Sequence, residues 1–201
     1  MIFISLPDKI KVKGNYKKME KILFISASAT NGSCKRLLEE LQKNFWLKYS
    51  TEVAFIRDFT CESCLGCRAC QDERGECVIN DKIHILLEKM LDAKIVVFAT
   101  PNYFYNMTGL AKNFIDRAYR YYKNRKLEGK KFIFLYTGGS DTETTKKSLD
   151  SAMFGFIKCQ GLENLGSFAI STNGEGVYKD TAAKEQVIAK ITKLIADNIE
   201  A

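Results

Sequence analysis

The 201-residue sequence contains one histidine and one tryptophan, and none of its apolar runs approaches the roughly 18–20 residues of a transmembrane helix. Its first residues, Met1 to Pro7, are apolar but lack a basic stretch and a small-residue cleavage site, so they do not read as a secretory signal. No internal repeat or low-complexity linker occurs. With 46% hydrophobic and 27% charged residues, disorder and collagen-like repeats are excluded. The default expectation is a cytoplasmic protein. At about 100–200 residues per domain, the length suits one domain with a short appendage. Such a chain buries enough apolar surface to fold without disulfides or metal.

What is present is unevenly placed. The net charge is +7. Residues 1–21 carry six lysines against Asp8 and Glu20, and residues 119–131 carry Arg120, Lys123, Arg125, Lys126, Lys130 and Lys131 against Glu128. The rest of the chain is slightly acidic, so the charge is weak evidence for nucleic-acid binding. Of seven cysteines, Cys61, Cys64, Cys67, Cys70 and Cys77 fall within 17 residues. In a reducing compartment such a cluster suggests a metal centre or redox chemistry before it suggests disulfides.

The hydrophobic pattern alternates short apolar runs with amphipathic stretches. Lys21–Ser26 reads as a buried strand, and a helix with Leu37, Leu38 and Leu41 on one face follows from Ser33. Thr51–Phe59 reads as a second strand, and Asp81 is placed to cap a helix carrying Ile85, Leu86, Met90 and Leu91. Ile95–Thr100 is a continuous apolar run, as expected of a parallel strand covered on both faces. A helix over 108–122, a strand over 131–136, a helix over 144–160, a strand over 165–171 and a helix over 181–199 complete the pattern. Five strands alternating with helices specify a doubly wound α/β sheet, because parallel neighbours need a crossover. The first 20 residues do not fit this unit; an extra strand at Ile2–Leu6, a tail or a subunit contact all suit them.

Ligands of open α/β sheets bind beyond the carboxyl ends of the strands. Three loops lie there. Ser26-Ala-Ser-Ala-Thr-Asn-Gly-Ser33 leads into a helix, where hydroxyls and backbone N–H groups suit a phosphate, although it is neither a Walker loop nor GxGxxG. Thr100-Pro-Asn-Tyr-Phe-Tyr-Asn106 offers aromatic faces for a planar ring and amides for its edge. Thr137-Gly-Gly-Ser140 lets backbone approach a flat ligand. Each is weak alone; a plain capping loop or an aromatic seal would account for either of the first two.

The stretch from Ala99 to Arg117, with its Pro-x-Tyr-Phe-x-Asn and Lys-x-Phe-Ile-Asp-Arg elements, resembles the NADPH-dependent FMN reductase family. The cysteine run followed by Asp81 resembles that family's iron–sulfur flavoprotein branch. The resemblance spans about residues 21–175 and implies a flavodoxin-like three-layer α/β sandwich with a five-stranded parallel sheet in order 2-1-3-4-5. It implies a phosphate loop of Ser26, Ser28, Thr30, Asn31, Ser33 and Cys34. Ring contacts would fall on Pro101, Asn102, Tyr103, Phe104 and Asn106, with Thr137, Gly138 and Gly139 opposite. Residues 1–20 would be an extension and 21–201 the FMN-binding domain, with 61–77 a cysteine-rich insertion. Ala29 and Thr30 stand where the family usually has Pro and Arg, and Cys34 where Thr is usual. Losing the Arg removes a charge-assisted phosphate bond. Tyr105 stands where a small residue is common.

The spacing Cys64-x2-Cys67-x2-Cys70-x6-Cys77 provides four thiolates for a [4Fe–4S] cluster, and the same set suits zinc; the resemblance to flavin reductases also implies a metal-free alternative of free thiols or a reversible disulfide. Cys34 and Cys159 read as small hydrophobes, and His84 as a packing or surface residue. The expected activity is oxidoreduction by bound FMN, with NAD(P)H as co-substrate and a quinone-type, flavin or protein acceptor, and with no acid–base constellation on the protein. The alternatives are an electron carrier fed by a ferredoxin-like partner and a basic zinc module for nucleic acid. Neither a nucleic acid nor a membrane is an expected partner; a homodimer or homotetramer is.

Overall fold

The fold is seen in a computed structural model that describes residues 9–12, 15–73, 75–173 and 178–200. The central sheet comprises β3 (Lys21–Ser26), β4 (Ser50–Phe55), β5 (Ile95–Pro101), β6 (Lys131–Gly138) and β7 (Glu163–Ser171). All neighbours are parallel, in the order β4-β3-β5-β6-β7. Counting these strands alone, that is 2-1-3-4-5, the order expected. The switch in direction lies between β3 and β5, whose pairing runs from Ile22↔Ile95 to Ser26↔Ala99. Two further strands, β1 (Lys9–Val12) and β2 (Asn15–Lys18), pair antiparallel with each other ahead of the sheet. The expected strand at Ile2–Leu6 lies outside the described residues.

Strand periodicity divides the core between two layers. Along β3, Ile22 and Phe24 face one layer while Leu23 and Ile25 face the other. On the first side α1 (Ser33–Gln42) buries Cys34, Leu37, Leu38 and Leu41, and α5 (Thr181–Ile199) adds Ile191, Ile195 and Ile199. On the second side α2 (Ile83–Asp92), α3 (Gly109–Arg117) and α4 (Thr142–Gln160) cover Val96, Phe98, Phe132 and Phe134. Each fully buried Leu, Ile or Phe contributes roughly 1.5–3 kcal/mol by its removal from water. These two layers are what hold the strand ends, and hence the loops beyond them, in fixed relation.

Three elements depart from the sequence pattern. The second sheet strand stops at Phe55 and gives way to a 3-10 turn at Ile56–Asp58, closed by Phe59 N–H donating to the Ile56 carbonyl at 3.0 Å. The helix expected over 108–122 ends at Arg117 and continues as a 3-10 turn, Ala118–Tyr121. Asp81 does not cap α2. Lys82 occupies the cap position without a side-chain bond, and the Asp81 carboxylate pairs with Arg117. Caps do form where Thr108, Asp141 and Asp180 begin α3, α4 and α5. Among the described residues, no helix is long and apolar enough to cross a membrane.

Candidate functional site

Beyond the carboxyl ends of β3, β5, β6 and β7, four chain segments surround an open cleft of about 530 Å³. The first segment is built by serine turns. Ser26 is buried at the end of β3, and its hydroxyl accepts from Ser28 N–H at 3.4 Å; Ser28 in turn accepts from Thr30 N–H at 3.3 Å. These bonds curl the backbone so that Ser28, Thr30, Gly32 and Ser33 line the cleft at the start of α1. Gly32, the residue before the helix, has no side-chain cap bond, and the first turn carries no acidic residue. Unpaired N–H groups at such a terminus favour an anion.

Cys34 lines the cleft too. It is fully buried, and its Sγ lies 3.3 Å from Thr137 Oγ1, joining α1 to the end of β6. Burial pushes its thiol up to about 12, the Thr137 contact opposing only in part. The thiol is therefore neutral at ordinary pH and does not repel an anion bound beside it.

Pro101, Asn102 and Tyr103 form the second wall, opposite Thr137, Gly138 and Gly139. Asn102 N–H donates to the Thr137 carbonyl at 2.7 Å, and Asn102 Nδ2 donates to Thr145 Oγ1 at 3.3 Å. A Cβ on Gly138 would lie 3.0 Å from the Asn102 Cβ, so this glycine is what lets the two walls approach. Asn102 Oδ1 is buried and, among the described residues, has no hydrogen-bond partner. Turning the amide over would move the unpaired position to the nitrogen without removing it. A buried amide atom with no partner in a cleft is costly unless a ligand satisfies it.

The remaining predicted residues have other positions. Tyr103 N–H and the Asn106 carbonyl pair at 2.9 Å, closing a four-residue turn whose central residues, Phe104 and Tyr105, have φ of 52° and 58°. Two aromatics in the left-handed region is a strained arrangement, and it leaves Phe104 fully exposed. Asn106 uses its side chain on Met107 N–H at 2.8 Å. Asn31 is exposed and accepts from the Arg57 guanidinium. Ser26, Asn31, Phe104 and Asn106 thus shape the loops without lining the cleft. Thr108 locks the arrangement: its hydroxyl donates to the Ala27 carbonyl at 2.8 Å and accepts from Ala111 N–H at 3.1 Å.

Sequence reasoning missed a fourth segment. Thr172, Asn173 and Lys179 line the cleft beyond β7. The signal was available, since the strand-end rule that selected three loops applies equally to the last strand. The basic run at 119–131 contributes nothing to the cleft. Arg125 pairs with Glu128, Lys123 donates to the Gln71 carbonyl, Lys130 to Leu91 and Ala93, and Lys131 to Asn198. Arg120 and Lys126 lie over the Tyr121 ring.

The cysteine segment is tied down at its base. Arg117 and Asp81, each with a side chain only 3% exposed, form a bidentate pair at 2.5 and 3.0 Å. Arg117 also donates to the Glu62 and Ile79 carbonyls and to Cys77 Sγ at 3.5 Å, while Asp81 accepts from Glu62 N–H. Burial alone would raise the Asp81 carboxyl; the bonds from Arg117 and Glu62 outweigh it and hold the group below its usual range. Gly66 N–H donates to Cys64 Sγ, and Gln71 to Cys70 Sγ. The thiols themselves do not converge. Cys64 and Cys67 are exposed, Cys70 and Cys77 half-buried, and among the described residues no three His, Cys, Asp or Glu side chains are gathered to hold a metal ion. As folded here, the four thiols do not fit a closed [4Fe–4S] cage. The cleft does fit FMN: it has a polar helix start for a phosphate, two close walls for a ring, and an unsatisfied amide between them.

Comparison with known proteins places the chain in a family. An iron–sulfur flavoprotein from Archaeoglobus fulgidus is 37% identical over 99 residues, covering 49% of this chain and 48% of the relative. One from Methanosarcina thermophila is 31% identical over 134 residues, covering 65% of this chain and 70% of the relative. The chain thus spans about half the length of the first of these relatives. An NAD(P)H:quinone oxidoreductase from Methanothermobacter marburgensis superposes with a TM-score of 0.66 at 16% identity, over 91% of this chain and 98% of that one. An NADH:FMN oxidoreductase in its apo form superposes at 0.62 with 21% identity, over 89% and 90%. At these identities the structures attest the shared fold alone. The model of the NADPH-dependent FMN reductase family matches residues 20–164, a span that contains β3 to β6 and three of the four cleft segments. By that match, this chain belongs to the NADPH-dependent FMN reductase family.

Proposed function

We propose that the protein binds FMN in the cleft between the β3, β5, β6 and β7 loops and acts as an NAD(P)H-dependent oxidoreductase with a quinone-type, flavin or protein acceptor. In this reading residues 21–201 are the FMN-binding domain and 61–77 an insertion in it. The buried, partnerless amide atom of Asn102 carries the proposal, because it sits where a ring's polar edge would reach between Pro101 and Gly138. FMN supplies the hydride-accepting chemistry when bound, and the protein supplies binding, orientation and electrostatics. Asn102 would hydrogen-bond the ring edge, and Tyr103 would flank its face. Ser28, Thr30 and Ser33, with the open start of α1, would bind the phosphate, and the neutral Cys34 thiol would leave its charge unopposed. Among the described residues, the cleft lining contains no His, Asp or Glu, which suits a site where no side chain takes a proton from substrate. The test is anaerobic stopped-flow of FMN-loaded protein with NADPH and with NADH. Bleaching of the flavin by either is expected; no reduction by both refutes the reading.

A second reading adds a [4Fe–4S] cluster on Cys64, Cys67, Cys70 and Cys77, giving an electron carrier. It is favoured by the cysteine spacing and by the names of the relatives, and it requires the segment to close further than the geometry described. Iron and acid-labile sulfide near four per chain in anaerobically purified protein would establish it; zinc, or no metal, would exclude it.

A further inference from the structure

The phosphate loop of this chain has no cation of its own, since Ala29 and Thr30 precede Asn31 and Gly32. Arg57 reaches Asn31 from outside, but it also lies 3.6 Å from Asp58 and over the Phe55 ring, and it does not line the cleft. A dianionic phosphate held only by hydroxyls and backbone N–H groups lacks a charged partner. Of the described residues lining the cleft, one is charged: Lys179.

We propose that Lys179 pairs with the negative charge of the cofactor bound in this cleft. This rests on the FMN reading above. The ammonium lies at the cleft wall, with Nζ donating to the Gly139 carbonyl at 2.6 Å. Its backbone is anchored, because Lys179 N–H donates to the Ser171 carbonyl at 3.1 Å and Thr172 bridges Tyr178. Tyr178 in turn donates through its hydroxyl to the Ser33 carbonyl at 3.4 Å, which ties this segment to the phosphate loop. Lys184, five residues on, has its charge met by Glu40 at 2.8 Å. Among the described residues the Lys179 ammonium meets the neutral Gly139 carbonyl and no carboxylate. A carbonyl contact is readily exchanged for a stronger bond to an anion. The anion has two sources on one cofactor, the phosphate and the ring once it is reduced, and Lys179 stands between the loops that would hold each.

The test titrates full-length apoprotein with FMN and with riboflavin, which lacks the phosphate, and measures the midpoint potential of the loaded protein. The wild type is compared with Lys179→Gln and Lys179→Arg. Lys179→Gln is expected to weaken FMN binding about tenfold at low salt, with the loss shrinking toward about 0.5 M salt. Lys179→Arg is expected to retain binding. An unchanged riboflavin affinity assigns the charge pair to the phosphate. Equal, unaltered affinity for both oxidised flavins together with a lowered midpoint potential assigns it to the reduced ring. If Lys179→Gln matches the wild type for both flavins and in potential, the proposal is overturned. Wild-type protein that binds neither flavin would instead overturn the FMN reading itself. Lys179 is exposed, so an unchanged melting temperature is expected to show that the Gln variant is folded.

Discussion

The Arg117–Asp81 pair makes a quantitative prediction. Its two side chains are almost wholly buried, and between them they bond the Glu62 N–H and carbonyl, the Ile79 carbonyl and Cys77 Sγ. Removing one partner strands the other as a buried charge, which costs about 3–5 kcal/mol. A domain of this size loses roughly 2–4 °C of melting temperature per kcal/mol, so Arg117→Met should melt about 6–20 °C below the wild type by circular dichroism. Replacing both residues, as in Arg117→Met with Asp81→Leu, removes the stranded charge and should recover a large part of the loss. The pair also has a pH signature. Because the folded Asp81 carboxyl titrates below its unfolded value, its contribution is fully present above the unfolded carboxylate pKa of about 4 and is lost as pH falls through the folded one. The gap between wild type and Asp81→Asn should therefore be constant from neutral pH to about 5 and narrow below about 4. Limited proteolysis should report the same event locally, with cleavage within 62–80 faster in Arg117→Met. A loss under about 1 kcal/mol with unaltered cleavage would refute the idea that this pair fastens the cysteine segment.

Gly138→Ala would drive a methyl to 3.0 Å from the Asn102 Cβ, so FMN affinity should fall by at least tenfold while the fold persists; flavin fluorescence titration checks it. Cys34, its thiol pushed up to about 12, should resist iodoacetamide at pH 8 in the native protein while exposed Cys64 and Cys67 are alkylated within minutes, as mass spectrometry would show. Thr108→Val deletes both the α3 cap and the bond to the Ala27 carbonyl and should cost about 1–2 kcal/mol by denaturant melt. Tyr105→Gly relieves a left-handed residue and should raise stability by up to about 1 kcal/mol.

The alternation of strands and helices and the three loops were legible because they follow from local patterns: continuous apolar strands, amphipathic helices, small residues at strand ends. The sheet order came from the family resemblance instead. What escaped was set by distance in sequence. Asp81 has the composition and position of a helix cap, yet its partner lies 36 residues away on α3, and no local rule weighs a guanidinium against a backbone N–H. Lys179 carries no local signal in the sequence; its contact with the Gly139 carbonyl, 40 residues distant, is what sets it at the cleft wall. The cysteine spacing gave the number of sulfurs but not their directions, which depend on the left-handed turns at Gly66 and Arg68. Asn31 and Asn106 have the chemistry of ligand contacts, but loop geometry assigns their side chains to Arg57 and to Met107 N–H.

The four cleft segments follow four different strands, and each is brought beside the others only by parallel pairing of strands distant in sequence. Such contacts form late in folding, since every parallel pair must first close a long loop. During synthesis the proposed phosphate loop emerges well before Thr172 and Lys179, which line the same cleft. Affinity for the cofactor should thus arise in one step when β7 docks, so that capture of the flavin reports completion of the sheet.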